Sequence, residues 1–360
     1  MRIVHLNPYH YPFMGGIEHR IHNLCKRLAL KHEVTVVTSR LPGTEEREII
    51  SGYEVIRLPS RFIDIYNPPY VSTKGVLATL QSISPDIVDF HYRWSPSYTR
   101  DVARYDGAKV HTSHNVFGEG VGLVRYLSYI NDVNFRRKVS HFDLVVCISE
   151  FVKSELIHHG YDEAKMTVIP NGVEIPDLVL EEKDYILSLG RMVRTKGLRD
   201  LMRAMPEVRG SLMVAGAGPE RKELERLSAK LGLVDKVQFL GKVSEDRKSE
   251  LYATCKFFVM PSTQESYGIA AAEAMSYGKT LVCTKVGGLP EVVHDCGLMV
   301  PPGSPGELAA AMNRMIDDPQ LRLLLGRKAK ERAKLHTWDR LAKQTEEVYE
   351  LVLKNRKKNA

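Results

Sequence analysis

Short, unbroken runs of β-branched and apolar residues alternate with helically spaced stretches along nearly the whole chain, which narrows the fold more than any other feature. In the first half the runs are residues 3–6, 34–38, 53–57, 87–90, 109–113, 144–148 and 167–169. Strands look continuous rather than alternating when helices cover both faces of a parallel sheet. Between the first two runs, Ile17, Ile21, Leu24, Cys25 and Leu28 recur at the spacing of one helix face. The expectation is an α/β, doubly wound architecture.

The pattern breaks at Pro170-Asn-Gly-Val, followed by Glu174-Ile-Pro-Asp and Glu181-Glu-Lys-Asp, where turn formers and charges gather. A second series then starts, with runs at 185–189, 212–215, 237–240, 257–260, 281–284 and 298–300. Two domains are expected, 1–171 and 172–336, which suits a chain of 360 residues. One helix opens at Ser304-Pro305-x-Glu307, where serine would cap, proline would fill the first turn and glutamate would reach back. A last amphipathic helix begins at Thr337 and runs to about residue 358.

No stretch approaches the ~20 apolar residues of a membrane-spanning helix, and the start reads as a buried strand rather than a leader. A cytoplasmic protein is expected. The five cysteines are scattered without a C-x-x-C pair, so they read as structural, with no metal site. The formal charge of +7 invites phosphorylated or anionic partners. Nucleic acid is not expected, because no basic and aromatic residues interleave as in a known binding module.

The strongest chemical signal is Pro261-Ser-Thr-Gln-Glu265-Ser-Tyr267-Gly268-Ile269-Ala-Ala-Ala-Glu273, directly after an apolar run. A helix of small residues over 268–275 would leave the Gly268 and Ile269 amides free for a phosphate, and its dipole favours negative charge there. By itself the stretch equally suits an alanine-rich helix packed on a sheet, with two solvated glutamates. Three companions favour the ligand. Gly190-Arg191-Met-Val-Arg-Thr-Lys196-Gly197 puts cations in a strand-to-helix loop, a natural diphosphate clamp. Gly15-Gly16-Ile-Glu18 lets the backbone approach a ligand, although a tight turn would use the same pair. His114 ends a strand in Thr112-Ser-His-Asn, a place where a satisfied structural histidine is also common. His91 carries the same ambiguity.

Together these residues resemble the retaining family-four glycosyltransferases. The likeness rests on Gly-Gly-x-Glu at 15–18, the strand-end His114, Val168-Ile-Pro-Asn-Gly-Val, Gly-Arg-x5-Gly at 190–197, Glu-x7-Glu at 265–273 and Gly287-Gly-Leu-Pro-Glu291. It implies a GT-B fold: two Rossmann-like domains facing across a cleft, the first for the acceptor and the second for the donor, with the last helix crossing back onto the first. It further implies that Arg191 and Lys196 hold a donor diphosphate, Glu265 meets the transferred sugar and Glu273 the ribose. Gly268 and Ile269 give amides to phosphate, Gly15 and Gly16 approach the donor, and His114 lies against the sugar. Gly216, Val243 and Tyr267 complete the donor-binding set. The nucleotide sugar is a substrate, and neither cofactor nor metal is implied. Uridine, guanosine and adenosine diphosphates all fit these motifs.

Rival readings follow from single features. Gly216-Ala-Gly218-Pro-Glu-Arg221 resembles a dinucleotide fingerprint, but arginine stands where a third small residue belongs. A nucleotide-sugar epimerase or a phosphorylase would share the same fold. A non-catalytic, membrane-peripheral nucleotide-sugar binder is the third. Residues 122–141 carry Leu123, Tyr126, Leu127, Ile130 and Phe135 beside Arg125, Arg136, Arg137 and Lys138. This reads first as a core-facing helix with a basic outer side, and second as a surface for anionic lipid. The second reading leads to an expected lipid-linked or phospholipid acceptor at the inner membrane face. The loops 59–70 and 118–125 are expected to read that acceptor.

Overall fold

The computed structural model describes residues 1–63, 69–118, 123–178 and 180–359, without the side chains of 123, 124 and 359. Parts of both expected acceptor loops, residues 64–68 and 119–122, lie outside the described residues. The chain divides into two compact units, residues 1–171 with 338–360, and residues 172–337.

The first unit contains β1 (Arg2–Leu6), β2 (Glu33–Ser39), β3 (Arg47–Ile50), β4 (Tyr53–Leu58), β5 (Ser60–Ile63), β6 (Tyr70–Thr73), β7 (Ile87–Phe90), β8 (Ala108–Ser113), β9 (Leu144–Cys147) and β10 (Met166–Val168). Eight of them form one sheet in the order β10-β9-β8-β7-β1-β2-β4-β3, parallel except for the β3–β4 pair. The helix Gly16–Leu28 and the C-terminal helix Trp338–Asn359 cover one face. Ile21, Leu24 and Leu28 meet Leu341, Tyr349 and Val352 there, over Ile3, Val36 and Val110.

The second unit contains β11 (Ile186–Leu189), β12 (Leu212–Ala215), β13 (Val237–Gly241), β14 (Phe258–Met260), β15 (Leu281–Thr284) and β16 (Gly297–Val300). They form a fully parallel sheet in the order β13-β12-β11-β14-β15-β16. Its core joins Ile186, Val214 and Val259 to Leu201, Met205 and Met312 on the covering helices. Every run expected to be a strand is one, within two residues.

Three strands have no counterpart in the sequence reading: β3, β5 and β6. The β3–β4 hairpin turns through Ser51 and Gly52, both with positive φ (48° and 91°), the geometry of a two-residue hairpin loop. The expected cap at Ser304 is a correction. The helix does begin at Pro305, but Ser304 sits at ψ 75° and its hydroxyl makes no capping hydrogen bond. At that ψ the side chain is not held in the extended geometry from which a cap reaches the first-turn amides. All five cysteines are buried and unpaired, and burial pushes the Cys283 and Cys255 thiols up to about 12.

Candidate active site

In an open parallel sheet the ligand crevice lies at the carboxyl edge, where the strand order reverses. In the second unit that reversal falls between β11 and β14, whose following loops carry Arg191, Lys196 and Glu265. Lys196 Nζ stands 2.5 Å from Glu265 Oε2, with the two side chains 24% and 12% exposed. The loops are stitched through their backbones, since the Thr263 amide donates to the Thr195 carbonyl at 2.8 Å. Ser188, Gly190, Arg191, Lys196, Met260 and Ser262 line a small pocket at this edge. Arg191 is exposed and makes no ion pair among the described residues.

Gly268 is the N-cap of the helix Ile269–Ser276, in the left-handed region at φ 104°. No side chain caps this helix and no acid occupies its first turn, so its first amides face outward uncovered. A positive charge, a second cation and a bare helix N-terminus thus share one strand edge. This is the arrangement an oxyanion or diphosphate needs. Two glycines hold the edge together. Gly287 has φ 53° and its Gly288 neighbour donates to the Glu265 carbonyl at 3.0 Å; a Cβ at 287 would overlap the Glu265 backbone. Gly216 has φ 127° and lies so close to Gly190 that a side chain would collide with its carbonyl. The apparent dinucleotide fingerprint is therefore explained by loops nesting against each other.

Glu273 is not a free carboxylate. It accepts from Lys248 Nζ at 3.2 Å and from the Tyr252 hydroxyl at 3.0 Å. Burial works against the charge on Lys248, but Glu273 and Glu245 outweigh it and its pKa is raised. Burial, then the Glu273 charge, drive the Tyr252 phenol well up. The sequence reading misses both partners, although their i,i+4 spacing on the helix Glu245–Thr254 puts them on one face. Val243 lies half-buried just beyond β13, and Tyr267 is buried beside Gly268.

The remaining expected residues belong to the first unit. Gly15 precedes the helix Gly16–Leu28 and donates its amide to Glu18 Oε2 at 2.9 Å, while Asn7 donates to Oε1 at 3.0 Å. Glu18 is thus a buried cap for the glycine turn. His114 follows β8, 8% exposed, with Nε2 at 3.1 Å from His91 Nδ1. Arg93 and Asp132 form a buried pair at 2.5 Å. Arg93 also donates to the Val116 carbonyl at 2.6 Å and Asp132 accepts the Gly118 amide at 2.8 Å, bracing the chain just past His114. Nothing in their separate sequence positions announces this pair.

The helix Leu123–Val139 departs from its expected arrangement. Ser128, Asp132, Phe135 and Val139 face the core, but Tyr126, Leu127 and Ile130 are 63%, 57% and 41% exposed. Its outer side is aromatic and aliphatic near the start and basic only near the end. No helix among the described residues is long and apolar enough to cross a membrane.

Two family descriptions match the chain in succession, "Glycosyltransferase Family 4" over residues 14–175 and "Glycosyl transferases group 1" over residues 173–332. The chain belongs to the family-four glycosyltransferases. Among its relatives is a phosphatidylinositol N-acetylglucosaminyltransferase of Arabidopsis thaliana, 29% identical over 98% of this chain and 83% of that one. Another is a D-inositol 3-phosphate glycosyltransferase of Streptomyces bingchenggensis, 28% identical over 97% and 88%. The fold matches that of Anabaena HepE, solved with UDP and glucose, at a TM-score of 0.80 and 21% identity, covering 97% and 99% of the two chains. This glycosyltransferase is built of two Rossmann-like units of the GT-B type.

Proposed function

We propose that this glycosyltransferase moves a hexose-type sugar from a nucleoside-diphosphate sugar to a hydroxyl of a lipid-linked phosphorylated polyol, with retention at the anomeric carbon. The observation that carries the reading is the Lys196–Glu265 pair beside Arg191 and the uncovered helix start at Ile269. When the bond from C1 to the diphosphate breaks, its electron pair goes to the phosphate oxygen, and negative charge grows where these donors converge. Preorganised cations and amides lower that barrier. Arg191 and Lys196 take the diphosphate with the amides of Gly268 and Ile269. An arriving diphosphate competes for Lys196, which frees Glu265 to accept hydroxyls of the sugar. Glu273, held by Lys248 and Tyr252, accepts from the ribose. Gly216, Val243 and Tyr267 border the nucleotide, Gly15 and Gly16 approach the donor by backbone, and His114 lies beside the sugar. The acceptor oxygen attacks C1 from the leaving-group face and passes its proton to a phosphate oxygen. No metal is required by this arrangement, because the cations already balance the charge. The second unit serves the donor and the first the acceptor.

A polyol phosphate acceptor is supported by the named activities of the two inositol-specific relatives. A membrane location, at the inner face, is supported by the exposed Tyr126, Leu127 and Ile130 with Arg125 beside them. The test is a panel of nucleotide sugars offered with phosphatidylinositol vesicles, with the product anomer read by NMR and a parallel series in EDTA. Transfer with retention, undiminished by EDTA, is expected. An inverted product, or no turnover of any nucleotide sugar, would overturn the proposal.

A further inference from the structure

Three histidines run inward from the carboxyl edge of the first unit. His114 Nε2 is 3.1 Å from His91 Nδ1, and His91 Nε2 is 2.9 Å from His5 Nδ1. Exposure falls along the row, from 8% at His114 to 3% at His91 and 0% at His5. We infer that Asp89 and His91 fix the tautomer of His114, so that its outer nitrogen, Nδ1, is a bare lone pair that accepts a hydrogen bond. As a statement about sugar recognition this rests on the proposed role of His114; as a statement about the ring it does not.

The argument begins with charge. Burial, reinforced by the positive neighbours Arg20 and His91 or His111, holds His91 and His114 well below their ordinary value, and His5 falls to about 3. All three rings are neutral near pH 7, and a neutral imidazole has one N–H and one lone pair. A row of three such rings joined by two hydrogen bonds has only two senses. Either every ring donates inward from Nε2, or every ring donates outward from Nδ1. The innermost atom, His5 Nε2, is buried without a hydrogen-bond partner among the described residues, so both senses leave one unsatisfied group there.

Asp89 separates the two. Its carboxylate accepts from Thr112 Oγ1 at 2.8 and 3.0 Å and from the Tyr349 hydroxyl at 2.6 Å. One of its oxygens lies 3.7 Å from His91 Nε2. In the inward sense an N–H faces that negative oxygen; in the outward sense a lone pair does. In a dry interior this difference exceeds that between an unpaired donor and an unpaired acceptor at His5. The inward sense therefore prevails: His114 gives its proton-bearing Nε2 to His91 and keeps Nδ1 as an acceptor. Nδ1 has no protein partner among the described residues. His91 and Asp89 are positioning residues, because they act through His114. The ring is thus set to receive a hydroxyl proton of a bound polyol.

Long-range ¹⁵N–¹H spectra of the full chain with ¹⁵N-labelled histidine test this without any substrate, so the outcome is separate from whether sugar transfer is found. The wild-type spectrum is expected to show His91 and His114 as Nε2–H tautomers. Asp89→Asn, which removes the charge, should convert His114 to a mixture or to the Nδ1–H form. An Nδ1–H tautomer in the wild type, or a folded Asp89→Asn variant with His114 unchanged, would overturn the inference. The donor atoms of His5, Asp89 and His91 lie within 4.8 Å of one another, near enough to hold an ion. Stoichiometric zinc(II) shifting the His5 and His91 resonances would assign the cluster to a metal and overturn the inference as well.

Discussion

The two units place different chemistry at the same topological position. In the second, the reversal between β11 and β14 presents Arg191, Lys196 and Glu265, charged and partly exposed. In the first, the reversal between β1 and β7 presents His5, Asp89 and His91, buried and hydrogen-bonded to one another. Parallel β1 and β7 even put His5 directly opposite Asp89 in register. One scaffold therefore builds an anion clamp at one edge and a neutral, directional hydrogen-bonding row at the other. Fold alone does not decide this; the side chains at the strand ends do.

The largest expected effect breaks the charged edge. Lys196→Ala removes the one cation fixed beside Glu265 and should lower kcat by on the order of 10²–10³, about 3–4 kcal/mol, by analogy with deleting one oxyanion donor. Steady-state kinetics against donor concentration check it. A loss confined to KM would mean that Lys196 binds ground state and transition state alike. His114→Ala at the neutral edge removes an uncharged contact and should cost less, on the order of 10-fold.

Acid should separate the units. His5 and His10 fall to about 3 and His22 and His111 to about 4, all chiefly through burial and all in the first unit. Their ordinary value is 6.5. Between that value and the folded one, the unfolded chain binds more protons than the folded chain, so stability falls as pH falls through this window. Above about pH 6.5 the contribution is fully present. Both tryptophans, Trp94 and Trp338, lie in the first unit, so their fluorescence follows it selectively. The fluorescence-detected Tm should drop by several degrees from about pH 7 to about pH 4.5. Amide exchange in β11 to β16 should change less over the same range; an equal loss in both units would remove the contrast.

Much of this was legible in the sequence, for reasons that differ by residue. The core strands show because a strand covered on both faces must be apolar throughout, as 34–38 and 281–284 are. Arg191, Lys196 and Glu265 show because the loops after such strands are short and their polar residues stand out. What stays hidden is pairing across long separations. Lys248 meets Glu273, and Arg93 meets Asp132, through the packing of separate elements. The hairpin at β3 escapes for another reason: its residues alternate between exposed and half-buried on a sheet edge, so apolar continuity is absent. The Ser51-Gly52 turn was the available clue.

A smaller effect should follow from loosening Glu273. Tyr252→Phe keeps the ring stacked on Tyr277 but deletes the hydroxyl that donates to the carboxylate at 3.0 Å. Lys248 remains, so the carboxylate stays paired and only its aim relaxes. A net hydrogen bond of this kind contributes about 0.5–1.5 kcal/mol, which sets the expected rise in donor KM at roughly 2- to 12-fold with kcat little changed. A fall in kcat of the same size would instead tie Glu273 to the reacting bond.

The smallest effect on turnover in solution should come from the exposed helix face. Leu127→Ser with Ile130→Ser changes two side chains that are 57% and 41% exposed and lie apart from the buried Ser128, Asp132 and Phe135. Substitutions on such a surface shift stability by within about 0.5 kcal/mol, so Tm and hydrolysis of the donor should hold. Each leucine or isoleucine inserted into a bilayer interface carries favourable apolar burial, and Arg125 and Arg137 add attraction to anionic lipid. Sedimentation with phosphatidylinositol vesicles should therefore weaken sharply in this variant while the charged edge of the second unit works unchanged. If vesicle binding survives the double substitution, the exposed apolar residues do not anchor the first unit, and the basic surface alone accounts for any attachment.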